Sequence, residues 1–573
     1  MKDLVQDQRN LKIRQILYGF IIFVFIVLLR LFYLQVEQKA RFSDLGERNF
    51  LRQEILPSPR GNFLDCNNFV LASNKPIYDL YWQGNGKRKI DLEQKKILQK
   101  VDSILDSDFL NNSKFNQVET SEKYARRVLL REDLTFDQLC QISEQCNNSN
   151  NLVIVNRFKR FYPHKNLAGH ILGYLSRSER FITQGRAGLE KIFQDKLKGE
   201  TGYIKYVTNS TGKKLEQKEF KSAKPGSDIQ LTLDLNLQKI AETLFEFDQS
   251  GVFILMDPHD GSVKVLLSHP NFDPNLFLDP ITDDDWNEKF LYNSSLLNRA
   301  TNALYPPASI FKLITFAAGL EEGEINENTE FDCRGYIVFK GRKYKCQRHW
   351  GHGKIDLKTS LAYSCNIPCF EIAQKLKINQ LAYYAYCFGL GRKTNFLLNE
   401  KTGLVPTYEW KVATKGERWW KGDTLSASIG QTYLLVTPLQ IAKMISSICT
   451  GYLVKPRILS DEDIERDELL ISDYTLNILR DSMTKAVDEG TAKMFRKLKD
   501  FKIHAKTGTA QTTSLKSEVV KKSQLEHAWF ASYFKYKNHE PLTLIVLVEN
   551  AGSSKPAQKI ALNFLKNYQA LFN

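Results

Sequence analysis

The most constraining feature of this sequence is an apolar segment near the N-terminus. No charged residue occurs from Gln15 to Leu29, and beyond Arg30 the apolar character continues to Val36. Taken over 13–36, the segment is long enough to cross a bilayer core of roughly 30 Å as a helix. No small-residue cleavage site follows it, which favours a retained anchor over a cleaved signal peptide. We therefore predict one transmembrane helix, with all later residues on one side of the membrane.

Length and composition limit the remaining classes. A chain of 573 residues is too long for one ordinary core. Its 42% hydrophobic and 25% charged residues are typical of folded domains. The 80 Lys and Arg exceed the 65 Asp and Glu, but the basic residues are scattered, and no zinc finger, basic helix or RNA-binding aromatic motif accompanies them. The sequence therefore predicts no nucleic-acid partner.

A turn cluster at 224–227 separates a polar, partly helical region from a more regular one. Within the first region, 98–105 is amphipathic. After the cluster, alternating apolar residues predict a strand over 229–235, followed by an amphipathic helix over 237–247. A hairpin is predicted over 252–267, two strands at 528–534 and 542–548, and a helix at 556–571. Strands at both ends of a mostly helical region predict one sheet with helices packed against it.

One S-x-x-K motif, Ser309 to Lys312, has a context suited to catalysis. The same spacing occurs at Ser210/Lys213, Ser482/Lys485 and Ser532/Lys535, so the motif alone is weak. Prolines just before Ser309 suit a helix start, and the residues after it are apolar nearly all round. On that helix Ser309 and Lys312 share a face, where a desolvated amine can take the hydroxyl proton. The alternative is a core helix with an incidental serine and lysine.

Two further motifs follow Ser309 in order. Ser364-Cys365-Asn366 is an S-x-N element, and Lys506-Thr507-Gly508-Thr509 is a K-T-G element behind a predicted strand at 501–505. A second K-T-G at 401–403 lies in a loop-like, Gly- and Pro-containing stretch. S-x-x-K, S-D-N and K-T-G occur together in penicillin-binding proteins and class A β-lactamases, and here Cys365 stands in place of the Asp. The ordered set therefore predicts the site Ser309, Lys312, Ser364, Asn366 and Lys506.

The resemblance extends beyond these motifs to the class B penicillin-binding proteins. Arg60-Gly61 with Leu64-Asp65 resembles their pedestal motif, although Cys66 and Asn68 replace its usual Arg and Gly. Gly173-Tyr174 and Gly188-Leu189-Glu190 fit the same pattern. Met256-Asp257-Pro258, Ser428 to Gln431 and Thr437 to Gln440 resemble parts of the transpeptidase domain. His527 to Phe530 and Val548 to Asn550 are most similar to the elongation-specific subgroup, penicillin-binding protein 2.

The resemblance implies a serine acyl transfer. Ser309 would attack the penultimate D-Ala carbonyl of a stem peptide ending in D-Ala-D-Ala, with Lys312 as base. Ser364 and Asn366 would relay protons and hold the substrate amide. Lys506 would face the terminal carboxylate, aided by Thr507 or Thr509 in the Lys506-Thr507-Gly508-Thr509 segment. The N–H groups of Ser309 and Thr509 would form the oxyanion hole, and penicillins would be trapped as acyl-enzymes.

The implied fold is an α+β, multidomain one. It has a cytoplasmic tail (1–12), the transmembrane helix (13–36), an elongated pedestal of the dimerisation type (37–225) and a β-lactamase-like transpeptidase domain with a central antiparallel sheet flanked by helices (226–573). The chain would be a single-pass protein of the bacterial inner membrane with its catalytic domain in the periplasm. Implied partners are peptidoglycan stem peptides, membrane lipid, a polytopic peptidoglycan glycosyltransferase and elongation-complex scaffold proteins.

Nine cysteines raise a separate question. Cys333, Cys346, His352 and Cys365 supply three thiols and an imidazole, the ligand types of a closed structural zinc site. They lie between the predicted nucleophile and the S-x-N element, and Cys365 belongs to that element. A Cys333–Cys346 disulfide or buried unligated thiols are the alternatives, and His349 and Cys369 are rival ligands. Cys140 and Cys146 are a further candidate disulfide. Catalysis itself requires no cofactor in this scheme.

Other functions remain open at this point. A β-lactamase or D,D-carboxypeptidase would pass the acyl group to water, but a free β-lactamase does not need the anchor and the N-terminal region. A β-lactam sensor or inactive scaffold would keep the fold without turnover, yet all five motif residues are present. A division-specific transpeptidase is the nearest alternative to an elongation-specific one.

Overall fold

The computed structural model describes residues 2–106, 113–146, 149–177, 183–209, 214–292, 294–510 and 525–572. The chain forms two compact units, each assembled from separate segments. The first contains 1–59, 75–159 and 198–226, and the second contains 60–74, 160–197 and 227–573. The last crossing, between Gly226 and Ser227, falls in the turn cluster noted in the sequence. The predicted domain boundaries themselves stay a prediction.

The apolar N-terminal segment is helical, as predicted. A helix over Lys2–Phe32 continues into a π-helical turn, Tyr33–Glu37, and is followed by a helix over Lys39–Phe50. The 18 most apolar consecutive residues within Leu11–Glu37 are all exposed. By length and composition the stretch Leu11–Glu37 can cross a membrane, and it is the one such helix in the described ranges.

The first unit combines a small sheet with helices. Strands Leu51–Leu56, Gly202–Thr208 and Lys214–Lys221 form a three-stranded antiparallel sheet. The predicted amphipathic segment is a longer helix, Leu92–Leu105, because Asp91 and Gln94 form a capping box at its start. Cys140 and Cys146 are both free thiols, so the candidate disulfide between them is wrong. The unit also contains helices Ser113–Lys123 and Phe136–Gln145, strand Arg127–Arg131, and most of strands Val70–Gln83 and Leu152–Phe161.

The second unit is built on a five-stranded antiparallel sheet. Its strands are β1 (Gly251–Met256), β2 (Val263–His269), β3 (Phe501–Ala510), β4 (His527–Tyr536) and β5 (Leu542–Val548). Their spatial order is β2-β1-β5-β4-β3, so segments from both ends of the unit meet in one sheet. This confirms the predicted sheet, and the predicted C-terminal helix is Lys555–Ala570. The K-T-G motif lies within β3, an edge strand of this sheet.

Helices and short strands fill the chain between β2 and β3. The helices of eight or more residues are Lys312–Glu321, Ile367–Lys375, Ile378–Cys387, Tyr408–Lys415, Lys421–Ser428, Pro438–Thr450 and Asp473–Asp488, and Leu357–Ala362 is shorter. The sequence reasoning missed the small antiparallel pairs Glu330–Cys333 with Gly353–Asp356, Tyr336–Phe339 with Arg342–Lys345, and Tyr452–Val454 with Arg466–Glu468. These strands are three or four residues long, below the length at which alternation is recognisable.

The predicted strand over 229–235 was only partly right. The ladder is confined to Ile229–Gln230, which pairs in parallel with Phe63–Leu64. The helix then begins at Leu235 because the Asp234 carboxylate accepts hydrogen bonds from the backbone of Asn236 and Leu237. It ends at Glu242, short of the predicted Phe247, which is 99% exposed. The alternating leucines are buried, but after Gln230 they do not belong to a strand.

A buried ionic network joins two of the pedestal-like motifs. Arg60 Nε and Arg160 Nε donate to opposite oxygens of Glu190 at 2.6 and 2.7 Å, and the Tyr162 hydroxyl donates to the same carboxylate at 3.0 Å. All four side chains are buried. Breaking such a pair would leave an uncompensated charge in the interior, which is strongly destabilising. The network therefore joins the 60–74 and 160–197 segments of the second unit to each other.

Candidate active site

Ser309 lies on a tight turn ahead of a buried helix. Residues Ala308–Ile310 form a 3-10 turn, Ala308 has φ +48°, and the α-helix begins at Lys312. The predicted helix start is therefore displaced by a short turn, which leaves Ser309 half-buried while Lys312 is fully buried. The helix after it is buried from Lys312 through Leu320, as its apolar sequence predicted.

Two residues outside the predicted site fix this turn. The backbone N–H of Ala308 donates to the Gly430 carbonyl at 3.0 Å. Gly430 has φ +74°, and a Cβ there would lie 2.0 Å from the Ala308 carbonyl oxygen, so only glycine fits. The indole N–H of Trp529 donates to the Pro306 carbonyl at 3.0 Å. Both residues stood in stretches that resembled the family, but the sequence did not show what they touch.

The catalytic candidates other than Ser309 form one hydrogen-bonded group. Lys312 Nζ donates to the Ser364 carbonyl at 2.6 Å, to Ser364 Oγ at 3.1 Å and to Asn366 Oδ1 at 2.6 Å. Lys506 Nζ donates to the same Ser364 Oγ at 3.0 Å and to the Thr507 carbonyl at 3.2 Å. The Ser364 hydroxyl thus lies between two buried lysine nitrogens. The structure brings together four residues that are up to 194 positions apart in the sequence, from Lys312 to Lys506.

The S-x-N element occupies the turn between helices Leu357–Ala362 and Ile367–Lys375. Ser364 has φ +57°, a conformation that is uncommon for a residue with a side chain and is enriched at functional sites. Asn366 uses both ends of its amide, since Oδ1 accepts from Lys312 and Nδ2 donates to the Lys345 carbonyl at 2.9 Å. The turn is therefore tied to the lysine pair on one side and to the segment before Cys346 on the other.

The K-T-G segment packs directly against the turn that carries Ser309. A Cβ at Gly508 would lie 3.4 Å from both Ile310 Cγ1 and the Pro307 carbonyl, and 3.2 Å from Trp529 Cβ. The lack of a side chain at Gly508 therefore allows β3 to approach the turn closely. Thr507 is buried and its hydroxyl donates to that of Thr491 at 2.9 Å, a partner that the sequence did not reveal. Thr509 is half-buried on the same edge strand.

The competing motifs lie in other environments. Ser482 is inside the helix Asp473–Asp488, where its hydroxyl donates to the Ile478 carbonyl at 2.7 Å. Ser532 and Lys535 lie on β4, whose alternation places residues three apart on opposite faces. Ser210 and Lys213 lie outside the described residues. The second K-T-G, at 401–403, lies in a loop and has an exposed lysine. Position in the fold therefore separates Ser309 from the described alternatives.

Burial sets the electrostatics of the lysine pair. Desolvation lowers the pKa of Lys312, and burial together with the positive charge of Lys312 holds the pKa of Lys506 well below its ordinary value. Two ammonium groups that share one hydroxyl in a dry site repel each other. The ligand-free site therefore disfavours two simultaneous positive charges, and one nitrogen is readily available as a neutral amine.

The three thiols and the imidazole predicted as zinc ligands converge beside this site. The ligand atoms of Cys333, Cys346, His352 and Cys365 all lie within 4.8 Å of one another. His352 Nδ1 is 3.5 Å from Cys333 Sγ and 3.7 Å from Cys346 Sγ, and the sulfurs of Cys346 and Cys365 are 3.7 Å apart. Zinc bonds of about 2.3 Å to sulfur and about 2.05 Å to nitrogen in a tetrahedron require edges of about 3.8 and 3.5 Å. The three distances of 3.5, 3.7 and 3.7 Å match these values, and the other ligand atoms lie no more than 4.8 Å apart.

The alternatives to a metal site fit the structure less well. Cys333 and Cys346 are free thiols, so the disulfide between them is absent. His349 is exposed, and neither it nor Cys369 belongs to the convergent group. The hydrogen bond from the Cys365 thiol lowers the pKa of Cys346 and, together with burial, raises that of Cys365. One thiolate is thus already favoured in the pocket, and metal ligation requires thiolates.

Comparisons of the sequence with known proteins identify the family of each domain. The model of the penicillin-binding protein transpeptidase domain matches residues 251–566, more than half of the chain, and that of the penicillin-binding protein dimerisation domain matches 55–231. The peptidoglycan D,D-transpeptidase MrdA of Escherichia coli K12 is 27% identical over 578 residues, covering 93% of this chain and 90% of the relative. The protein of that name from Haemophilus influenzae is 28% identical over 607 residues, covering 98% and 92%.

Solved structures give the same picture. Penicillin-binding protein 2 of Helicobacter pylori, in its complex with MreC, matches with a TM-score of 0.77 at 27% identity, over 91% of this chain and 99% of that one. A chain of a peptidoglycan synthase complex that coordinates polymerization and crosslinking matches with a TM-score of 0.74 at 28% identity, over 98% of each chain. The present chain belongs to the penicillin-binding protein transpeptidase family. Within that family it is a class B protein of the penicillin-binding protein 2 type.

Proposed function

We propose that this chain is a peptidoglycan D,D-transpeptidase of cell-wall elongation and that Ser309 is its nucleophile. The observation that carries the proposal is the Ser364 hydroxyl held between the nitrogens of Lys312 and Lys506, beside the turn that bears Ser309. This arrangement supplies a base, a proton relay and a cation in one desolvated site. Serine acyl transfer to a substrate that ends in a carboxylate can use all three.

The first half-reaction forms an acyl-enzyme. Ser309 Oγ bonds to the carbonyl carbon of the penultimate D-Ala, and the hydroxyl proton passes to neutral Lys312. The tetrahedral oxyanion is held by the N–H groups of Ser309 and Thr509. The C–N bond then breaks, and the terminal D-Ala leaves as an amine after it receives the proton. Ser364 completes the proton path because its hydroxyl contacts both lysine nitrogens.

Binding of the substrate carboxylate changes which of the two lysines is protonated. Without ligand, Lys312 has three acceptors and Lys506 has two, so an extra proton is better held by Lys312. A carboxylate arriving beside Lys506 and the Thr509 hydroxyl raises the proton affinity of Lys506. Transfer of the proton through Ser364 then leaves Lys312 neutral. Binding of a correct substrate thereby generates the base.

The second half-reaction returns the enzyme to its starting state. The amine of a second stem peptide attacks the ester carbonyl of the acyl-enzyme, loses a proton to Lys312, and forms the cross-link as the bond to Ser309 Oγ breaks. Ser309 recovers its proton from Lys312. Asn366, which is fixed by Lys312 and the Lys345 carbonyl, holds the substrate amide during both steps.

The Cys333, Cys346, His352 and Cys365 cluster supports a structural zinc ion. Three buried free thiols and an imidazole nitrogen, with three ligand-atom pairs 3.5–3.7 Å apart, support this ion. When bound, zinc would cross-link the 333–352 segment to Cys365 and so fix the Ser364 turn. The ion would take no part in the chemical steps, which the chain's own residues perform.

The role in elongation rests on the relatives. The Helicobacter pylori protein is seen with MreC, and another relative belongs to a peptidoglycan synthase complex. We extend to this chain a polytopic peptidoglycan glycosyltransferase and elongation-complex scaffold proteins as partners, and membrane lipid around 13–36. The same proposal places the chain in the bacterial inner membrane as a single-pass protein with its catalytic domain in the periplasm. Loss of rod shape on depletion supports elongation, whereas filamentation supports division.

Labelling with a fluorescent penicillin tests the catalytic proposal. Wild-type protein is expected to form a stable covalent adduct, and Ser309→Ala to form none. Ser482→Ala is the matched control, because Ser482 has the same S-x-x-K spacing but its hydroxyl donates to the Ile478 carbonyl of its own helix. Equal labelling of wild type and Ser309→Ala contradicts the proposal. Rapid loss of the adduct to water would identify a β-lactamase instead.

A further inference from the structure

A strongly basic hairpin forms one wall of the S-x-N turn. We call residues 336–350 the basic hairpin; it comprises the strands Tyr336–Phe339 and Arg342–Lys345 and the segment that follows them. The sequence from Cys333 to Ile355 contains no acidic residue. Five cations of the basic hairpin are exposed: Lys340, Arg342, Lys343, Lys345 and Arg348. This concentration contrasts with the scattered charge of the rest of the chain.

These cations have no anionic partners in the described ranges. The ion pair nearest to them in sequence joins Arg334 to Asp332, just outside the basic hairpin. Four of the five instead lie over aromatic rings, Lys343 over Tyr336 at 4.6 Å and Arg348 over Trp350 at 5.2 Å among them. Tyr336 is 44% and Trp350 76% exposed. The surface therefore presents unneutralised charge together with aromatic faces.

The pairing register of the two strands places one face of the basic hairpin against the core and the other in solvent, where it can contact a ligand. Ile337 pairs with Tyr344, and both are half-buried against a core that includes Phe370. Val338 pairs with Lys343 on the opposite face, which is exposed. Opposite residues in an antiparallel pair share a face, so the inner face anchors the hairpin while the outer one is presented to solvent.

The basic hairpin is continuous with the catalytic site. Its Lys345 carbonyl accepts the hydrogen bond from Asn366, one residue from Cys365 and two from Ser364. On its other side the basic hairpin packs closely against the protein. The Tyr344 and Phe370 rings meet edge to face with their centroids 5.6 Å apart, and a Cβ on Gly422 would lie 2.5 Å from the Tyr344 hydroxyl. A polymer whose stem peptide enters the site must pass the neighbouring surface.

We propose that the outer face of the basic hairpin binds the carboxylate-bearing peptidoglycan strand whose stem peptide reacts at Ser309. This inference rests on the proposed function. Stem peptides carry free carboxylates in addition to the one at the reacting end, and a polymer presents many of them. Opposite charge on the protein raises the capture rate and holds the strand in register. An anionic membrane surface also attracts cations, but the direct link from Lys345 to Asn366 favours the substrate of that site.

Binding to isolated peptidoglycan tests the proposal. Full-length protein in neutral-lipid nanodiscs is sedimented with purified, lipid-free sacculi at increasing salt. The test variant is Lys340→Glu/Lys343→Glu, and the control is Lys559→Glu/Lys566→Glu, an equal change in charge on exposed positions of the C-terminal helix. We expect an apparent Kd about tenfold higher for the test variant, since each rim charge contributes modestly. The control is expected to bind within about twofold of wild type, and wild-type binding to weaken with salt.

The outcomes separate this inference from the proposed function. Penicillin labelling is expected to be equal in all three proteins, because a small ligand does not need the outer face. The inference is overturned if the test variant binds sacculi with the same apparent Kd as wild type, or if wild type does not bind sacculi. Loss of binding to phosphatidylglycerol vesicles with unchanged sacculus binding overturns it in favour of a membrane-facing surface. Failure of wild type to label with penicillin would instead refute the proposed function, whatever the sacculi show.

Discussion

Replacing Ser364 by alanine is the change that most sharply tests the proton path. The substitution removes one oxygen, and with it the acceptor that Lys312 contacts at 3.1 Å and Lys506 at 3.0 Å. Both nitrogens are buried, so no bulk water replaces it directly. The substitution leaves the backbone carbonyl of residue 364, which Lys312 contacts at 2.6 Å, in place. The substitution therefore removes only the hydroxyl that joins the two lysine nitrogens.

The expected loss follows from the role of that oxygen. A positioned group that moves a proton in the transition state contributes about 10²- to 10⁴-fold. A hydrogen bond to a charged group is worth about 1.5–3 kcal/mol, which is about 10- to 150-fold. We expect the second-order rate constant for acylation by a penicillin to fall by about 10²- to 10³-fold. The protein should still be labelled slowly, because Ser309 and Lys312 remain.

The assay is stopped-flow or quenched acylation with a fluorescent penicillin over a range of concentrations. Ser360→Ala is the matched control, since Ser360 is a buried serine in the preceding helix whose hydroxyl donates to the Leu357 carbonyl. Melting temperatures of both variants check that the fold is kept. If Ser364→Ala acylates within about threefold of wild type, the Ser364 hydroxyl is not the relay.

Three further changes probe the rest of the site. Burial lowers the pKa of both Lys312 and Lys506, and acylation uses a neutral Lys312 beside a charged Lys506, so the acylation rate should rise with pH as the pair loses its first proton and fall as it loses the second; a rate that does not change with pH below the 10.5 of an ordinary lysine contradicts the shared proton. Cys346→Ser should lose bound zinc by elemental analysis and lower the melting temperature, whereas Cys387→Ser, outside the cluster, should not; equal zinc content in both would refute the metal site. Gly430→Ala would place a Cβ 2.0 Å from the Ala308 carbonyl oxygen, so acylation should fall at least about tenfold, and unchanged acylation would show that the turn tolerates displacement.

The order of the motifs predicted much of the site, because serine acyl transfer requires particular residue types. Ser309, Lys312, Ser364, Asn366 and Lys506 were selected from several S-x-x-K and K-T-G matches by their order and by the element expected around each. The structure places four of them in one hydrogen-bonded group and the fifth on the adjoining turn. Their catalytic roles stay a prediction until the variants are measured.

The parts that sequence reasoning missed depend on contacts between distant segments. Gly430 and Trp529 hold the nucleophile turn through backbone carbonyls, and a backbone partner has no sequence signature. Thr491 was missed because its partner, Thr507, is defined only by tertiary packing. The strand predicted over 229–235 failed for a local reason, since the Asp234 cap starts a helix within an alternating pattern. The alternating leucines of this segment are buried, but most of the segment does not pair with another strand.

The sequence predicted that Cys333, Cys346, His352 and Cys365 act together, and the structure brings them together, although their spacing matches no common zinc finger. Three thiols and one imidazole between two catalytic motifs favoured a metal, but the sequence left a disulfide open. The sulfurs are free and three pairs of ligand atoms lie 3.5–3.7 Å apart, which favours a metal site over a disulfide. Metal content of the purified protein decides whether zinc is bound.

The most direct test of the central claim is to locate the penicillin adduct. Purified full-length protein is acylated, digested and mapped by tandem mass spectrometry, with Ser309→Ala treated in parallel. We expect one adduct of the full β-lactam mass on the peptide that contains Ser309, and none in the variant. An adduct on another serine, or one that persists in Ser309→Ala, would contradict the assignment of Ser309 as the nucleophile.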